Sequence, residues 1–305
     1  MTKDRGITMI ELLISLSLAV FVLSLAFYIF QKQFKYSVSV QSSSQLQIET
    51  YTGVNLIVHD ILHAGFGVRR DAKPIDSRNS NPDTLILLGN AMRTDVESKW
   101  DIVVEKANAS SNLLVRKWNS DNLSPGDWII ILSDSKTFLY GPFAITGVTD
   151  INGPDLNGDG EPDPCLNISI SSSGISVGKA SLIFKVSPEH KEDTVFYYVK
   201  NDTLYRNSDP LIDNVEDFEV SFLLDTDYNG IYDTWTSDLS QLNAEQLRAQ
   251  LGEIKFSVLV RGSKPDLSYT YPKKEIKIED HVVKIENPHF HRILIVKRIE
   301  PRNIK

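Results

Sequence analysis

Two acidic segments hold the residue types and spacing needed to bind a hard cation. Asp155-Leu-Asn157-Gly-Asp159-Gly160-Glu161-Pro-Asp163 places oxygen-bearing side chains at its first, third, fifth and ninth positions, a glycine at the sixth and the Glu161 carbonyl at the seventh. Asp225-Thr-Asp227-Tyr-Asn229-Gly230-Ile231-Tyr-Asp233 repeats the scheme, with the Ile231 carbonyl at the seventh position. Alternate residues of a tight loop point inward, so oxygens at positions one, three and five converge on one ion while the glycine takes the sharp turn. This is the start of a twelve-residue calcium loop. Position twelve should carry a bidentate glutamate, but Leu166 and Thr236 stand there, so another carboxylate, a water or a backbone oxygen has to complete the shell. The same segments also read as ordinary Asx and Asn-Gly turns between strands. That reading accounts for the glycine and one or two acids, but not for four oxygen groups at matching spacing in both loops. Ca²⁺ at one or both loops is therefore the expectation. It would help hold a domain whose one cysteine, Cys165, rules out an internal disulfide.

Other chemistry-bearing residues are weaker candidates. His59 and His63 have the i, i+4 spacing of half a zinc site, but no third ligand is near them in sequence and a polar contact from helix to sheet explains them better. His289 and His291 alternate as on a strand and read as two solvated side chains. Cys165 lacks an activating neighbour and reads as a buried or incidental thiol. Trp100, Trp118, Trp128 and Trp235 could line a binding face but are more simply core or sheet-edge packing. No nucleophile elbow, phosphate loop or dinucleotide fingerprint appears, so no enzyme activity is expected. With 32 basic against 40 acidic residues and a net charge of −8, a general nucleic-acid surface is not expected either.

One more carboxylate stands out by its surroundings. Glu11 is the lone ionisable residue of the apolar run from Ile7 to Phe30, which is long enough to cross a bilayer as a helix. A charge there costs on the order of 2.5–3.5 kcal/mol, so it calls for a partner. Lys3 and Arg5 precede the run and would keep its start on the cytoplasmic side, with the rest of the chain across the membrane. Cleavage between Gly6 and Ile7 would create an α-amino cation at the helix start. That amine could meet the Glu11 of a parallel neighbouring helix, and the pairing would exist only in an assembly.

The stretch Gly6-Ile7-Thr8-Met9-Ile10-Glu11-Leu12-Leu13 resembles the class III leader and first helix of type IV pilins and type II secretion pseudopilins, where the common form is G-F-T-L-I-E. Ile7 replaces the usual Phe and Met9 the usual Leu, apolar for apolar. The resemblance implies that residues 1–6 are a leader, that a prepilin peptidase cuts after Gly6 and methylates the Ile7 amine, and that Glu11 neutralises a neighbour's N-terminus. An ordinary signal peptide would have a shorter apolar core and a small-residue cleavage site at its far end.

These residues require a long helix and a β-rich head to position them. Beyond Phe30 the pattern turns amphipathic: Phe34, Val38, Gln41, Gln45, Ile48, Tyr51, Asn55, Val58 and Leu62 fall at steps of three and four, with Leu46, Val54, Ile57 and Ile61 widening the stripe. One helix is expected from about Thr8 to His63, stopped by Gly65 and Gly67, with the Ser-rich stretch near residues 37–45 a weak point. From Asp83 onward, β-branched and aromatic runs separated by turn residues predict an antiparallel head over residues 65–305, treated as one domain, with hairpins at Asn201-Asp202 and between WIIILSD and FAITGV.

The helix end, with Asp60, His63, Ala64, Gly65 and Phe66, is similar to the D-x-R-x-A-G-Y/F pattern of PilW-like minor pilins, as are VFYYVKNDTLYR, VEDFEVSFLLD and the closing Arg302 and Asn303. The resemblance implies an α+β pilin-like fold and a minor pilin that acts in type IV pilus assembly at the filament tip. Its location would be the inner membrane in a single pass, with the head periplasmic or extracellular, and its partners other pilins and the peptidase. A minor pseudopilin of type II secretion and a calcium-dependent tip adhesin on a pilin anchor are the alternatives.

Overall fold

The computed structural model describes residues 8–304 except 79, 81, 91, 93–96, 173, 189–191 and 268. Helix α1 spans Met9–His63 without a break, including the Ser-rich stretch. Neighbouring turns on both sides hold that weak propensity in register. Thr8 caps the start: its hydroxyl accepts from the Glu11 N–H, and the Glu11 carboxylate accepts from the Thr8 N–H. The signal for this was the T-x-x-E spacing of a capping box. At the other end Gly65 adopts φ +86, and a Cβ there would lie 2.5 Å from the Asn303 carbonyl oxygen. No other residue suits both constraints.

The buried face of α1 differs from the expected stripe. Leu46, Thr50, Val54, Ile57 and Ile61 face inward, whereas Ile48 and Tyr51, counted in the main stripe, are exposed, and Val58 and Leu62 are only partly covered. The stripe expected to widen the face is in fact its centre, because the sheet meets the helix one residue step around from the steps of three and four that the sequence favoured. Gly53 sits on this face, and a Cβ there would come within 2.4 Å of Ile212. The glycine lets helix and sheet close up.

Among the described residues every strand pairing is antiparallel. A five-stranded sheet runs in the order Ile75–Arg78, Thr84–Gly89, Asp193–Lys200, Thr203–Arg206, Asp209–Asp213. A four-stranded sheet runs Thr234–Thr236, Val215–Leu224, Leu251–Arg261, Arg292–Ile299. Both contribute to the core that covers α1, with Tyr197, Phe218, Phe222 and Phe256 as its largest enclosed side chains. The expected hairpin turns at Asn201 and Asp202, both at positive φ (+51 and +57), as a type I′ turn demands.

Between Gly89 and Asp193 the chain builds a second core. Six strands run Trp100–Ile102, Leu182–Val186, Trp128–Leu132, Phe138–Asn152, Pro164–Ile170, Asn112–Arg116, and the bridge of Val103 to Val115 joins the two edges, so the sheet closes on itself. Its interior holds Leu113, Val115, Ile129, Ile131, Ile168 and Ile183. Among the described residues of 65–305 these are the two larger apolar cores, beside two small clusters around Phe184 and Leu259. The second hairpin, WIIILSD with FAITGV, lies in this closed sheet as expected. A short helix α2, Ala244–Gln250, capped reciprocally by Asn243 and Gln246, precedes the strand Leu251–Arg261.

Candidate functional site

The first candidate surface is the free half of α1. Met9–Ser37 is long and apolar enough to span a membrane, and no part of it is buried against the head, which makes it a candidate membrane anchor. Glu11 lies near its start, exposed, with one carboxylate oxygen accepting from the Thr8 N–H at 2.9 Å and the Thr8 hydroxyl at 3.0 Å. In the single chain the carboxylate folds back to cap its own helix. Gly6 and Ile7 lie outside the described residues.

Where α1 enters the head, a polar clamp fixes it. Asp60 is buried and accepts from the Tyr197 hydroxyl and from Arg206 Nε, each at 2.7 Å, while Arg206 also donates to the Met92 carbonyl. Burial and the adjacent Asp60 carboxylate push the Tyr197 phenol well above its ordinary range, so it stays a donor. Beyond the helix end, Asn303 Nδ2 donates to the Leu62 carbonyl at 2.9 Å, and Arg248 reaches the carbonyls of Ile304, Arg69 and Ala72. The Asn303 contact satisfies a backbone oxygen that the end of α1 leaves open, and Arg248 ties the loop beyond it to the end of the head. His59 and His63 do not reach the sheet, contrary to expectation. Their rings stack at 4.1 Å on the helix surface, with His63 Nδ1 2.8 Å from the His59 carbonyl.

The two acidic loops sit at strand ends on different sheets. The first joins Phe138–Asn152 to Pro164–Ile170 on the closed sheet. Asp155 accepts from the N–H groups of Gly158 and Gly160, Asn157 Oδ1 from Asp159 N–H and Asp159 Oδ1 from Glu161 N–H. Asp163 closes the ring by accepting from Leu156 and Asn157 N–H, and Asn157 Nδ2 reaches both Asp159 and Asp163. The structure therefore gathers Asp155, Asn157, Asp159 and Asp163, with Glu161 exposed at the seventh position. Donation by Gly160 and Gly158 holds the Asp155 carboxyl below its ordinary range, which keeps it anionic.

The second loop joins Val215–Leu224 to Thr234–Thr236. Asp225 accepts from Asn229 and Gly230 N–H, Asn229 N–H also approaches Asp227, and Asn229 Oδ1 accepts from Ile231 N–H. Asp227, Asn229 and Asp225 are brought together, whereas the carboxylate of Asp233 accepts from the Thr234 hydroxyl. The first loop fits a small oxygen-ligated cation better, because its ninth position turns inward.

Several remaining expectations also meet the structure. Cys165 is buried, and burial raises its thiol, in keeping with a side chain that lacks an activating neighbour. Trp100 packs against Trp118, Trp128 joins a small cluster with Phe66 and Phe184, and Trp235 lies beneath Lys255 and Arg298. His289 and His291 are half-buried in a turn rather than solvated on a strand: His289 Nδ1 lies 2.7 Å from the Tyr269 carbonyl and His291 stacks on the Tyr269 ring. The preceding Asn287-Pro288 breaks the strand pattern that their alternation suggested.

Sequence reasoning missed one group altogether. Among the described residues, Asp217, Glu219 and His281 are the three acid or histidine side chains whose ligand atoms lie within 4.8 Å of one another.

Comparison with known proteins gives a partial match. Residues 184–303 match the family model of type IV pilus-assembly protein W. That span includes Tyr197, Arg206 and Asn303, the head's contacts with the end of α1, together with the second acidic loop. No curated protein matches the chain. A type IV-like pilin from Thermus thermophilus aligns over 85% of this chain and 98% of its own length at 9% identity with a TM-score of 0.39, too distant to carry an argument. Over residues 184–303 the chain is similar to type IV pilus-assembly protein W, and ahead of that span stands a helix long and apolar enough to cross a membrane.

Proposed function

We propose that the chain is a minor pilin that helps to assemble a type IV pilus at the filament tip, held in the inner membrane by Met9–Ser37 until it is taken into the filament. The observation that carries this reading is the exposed apolar half of α1 projecting from a head that grips only the other half. A surface of this kind needs either lipid or like helices around it. A pilus role is favoured over type II secretion by the match to a pilus-assembly family across residues 184–303. Processing would follow the leader: cleavage after Gly6, methylation of Ile7, then release of Glu11 from Thr8 to pair with the amine of an adjacent subunit. The Thr8 contacts are exposed and inexpensive to exchange for a charged partner.

Ca²⁺ would bind the first acidic loop through Asp155, Asn157, Asp159, Asp163 and the Glu161 carbonyl. The second loop would use Asp225, Asp227, Asn229 and the Ile231 carbonyl, with Asp233 turning in.

The test is Glu11→Ala expressed in a deletion strain. The variant is expected to insert into the membrane at least as well as the wild type, yet to be absent from sheared filaments and to leave the strain without pili. Normal incorporation of the variant would refute the pairing. Normal piliation of the deletion strain itself would refute the assembly role.

A further inference from the structure

The face of the four-stranded sheet that points away from the main core carries an unusual load. Phe218, Val220 and Phe222 point into the core, so the alternate residues Asp217, Glu219 and Ser221 point outward. They are nevertheless buried, because the hairpin of Glu275–Ile278 and His281–Lys284 folds over them. Ile276 and Ile278 pack on Leu259, and the turn residue Glu279 accepts from Lys255 Nζ at 2.7 Å and from the Ser221 and Ser257 hydroxyls at 3.3 Å. His281, first residue of the return strand, lies above the two acids.

Among the described residues acids outnumber cations here: Asp217, Glu219, Asp83, Glu279 and Asp280 face Lys255 and, when protonated, His281, whose Nδ1 also lies 3.3 Å from Asp280. The Asp217 side chain is 1% exposed and that of Glu219 2%. Neither Asp217 oxygen has a hydrogen-bond donor, and Glu219 Oε1 and His281 Nε2 are likewise buried without a hydrogen-bond partner. Asp83, also enclosed, is served by the N–H groups of Val220 and Ser80, and Lys255 is taken up by Glu279. A proton shared between Glu219 and Asp83 would neutralise one carboxylate but leave both Asp217 oxygens unserved. Buried carboxylates without donors are strongly disfavoured, so they call for a cation.

We propose that Asp217, Glu219 and His281 form a zinc site that pins the hairpin to the sheet. His281 Nε2 lies 3.4 Å from Asp217 Oδ2, and Nδ1 lies 3.5 Å from Glu219 Oε1. One imidazole offers a given ion only one of its two nitrogens: through Nε2, the 3.4 Å to Asp217 matches the roughly 3.3–3.5 Å edge of a tetrahedron drawn by Zn–N and Zn–O bonds of about 2.0–2.2 Å, and one ligand atom from each of the three residues lies within 4.8 Å of the other two. One imidazole nitrogen with two carboxylates suits zinc rather than calcium or magnesium, which take oxygen ligands throughout. A water supplies the fourth position, and the partly exposed His281 edge supplies the way in.

The experiment uses the full chain in detergent, stripped with chelator and then dialysed against Zn²⁺ in excess Ca²⁺, which occupies any oxygen-only loop. One zinc per chain is expected by elemental analysis. His281→Gln is expected to weaken zinc binding by about 100-fold or more, while its metal-free melting curve overlays that of stripped wild type. Co²⁺ in place of zinc gives visible absorption that this variant loses. His59→Gln, on the stacked helix pair, leaves zinc unchanged. A folded wild-type chain that retains no zinc overturns the proposal, as does equal affinity in His281→Gln or loss of zinc in His59→Gln.

Discussion

Replacing Asp60 by alanine should loosen α1 from the head as much as truncating a fully buried apolar residue of the helix such as Ile57 or Ile61. The carboxylate is almost fully enclosed and takes two hydrogen bonds of 2.7 Å, one from a guanidinium that is itself only 11% exposed. Its removal strands the Arg206 charge in a closed site and leaves the Tyr197 hydroxyl without an acceptor. Breaking a buried pair from one side costs about 3–5 kcal/mol, and the unpaired hydroxyl adds part of a further 1–3 kcal/mol. Taking about 4 kcal/mol in total and about 2–4 °C per kcal/mol for a head of this size, Tm should fall by about 8–16 °C. Tryptophan fluorescence of the full chain in detergent would read the transition. A shift under about 2 °C would show that the clamp is not a stabilising contact. The paired change Asp60→Leu with Arg206→Met distinguishes the cause. Because apolar replacement of a whole buried pair is often neutral, it should recover most of the loss, and a double variant as unstable as Asp60→Ala would refute the stranded-charge account.

Two further predictions concern the closed sheet and its loop. Millimolar Ca²⁺ should raise the Tm of the wild-type chain, and Asp155→Ala should remove more of that gain than Asp225→Ala, because only the first loop turns its ninth residue inward; an equal response in both variants and wild type would remove calcium from the account. Asp101 is enclosed by the closed sheet, and burial pushes its carboxyl up to about 7, against the N–H of Ile102 that donates to it at 2.8 Å. A carboxyl raised in the folded state contributes most when protonated, so this stability is present near pH 4 and is lost as pH rises toward about 7. Asp101→Asn should flatten that part of the stability profile, gaining at most about 4 kcal/mol over wild type at pH 8 in urea unfolding. An unchanged slope would mean that the carboxylate is served by water.

Much of this arrangement was legible because it rests on local pattern. The apolar run, Thr8 with Glu11 three residues on, and the Gly65-Phe66-Gly67 stop set both ends of α1 before any tertiary contact is considered. The longer strands announced themselves through β-branched runs. Short edge strands did not: Ile75–Arg78 and Thr234–Thr236 are too brief and polar to show an alternation, and Pro210 argued against Asp209–Asp213, which tolerates it as an edge. The buried face of α1 was misjudged because Ile48 and Tyr51 are as apolar as the residues that face the sheet, and Gly53, opposite Ile212, left no apolar mark. Asp217, Glu219 and His281 were invisible for a different reason. Their meeting depends on a hairpin some sixty positions later folding across a strand. The one hint was a pair of acids alternating within a run of core residues, where a solvated edge is the usual explanation.

The capping of α1 by Asn303 also bears on the order in which the molecule can become finished. The helix is synthesised first, but the amide that satisfies Leu62 and the backbone that packs on Gly65 lie some 240 residues later. A ribosome adds about 5–20 residues per second, so for many seconds the inner half of the helix exists without its terminal partner. The Asp60 clamp to Tyr197 and Arg206 can form earlier, but the grip on α1 is complete only when the last strand has crossed and folded. Until then an incomplete chain presents a frayed helix end and an open core, a state that proteases can recognise.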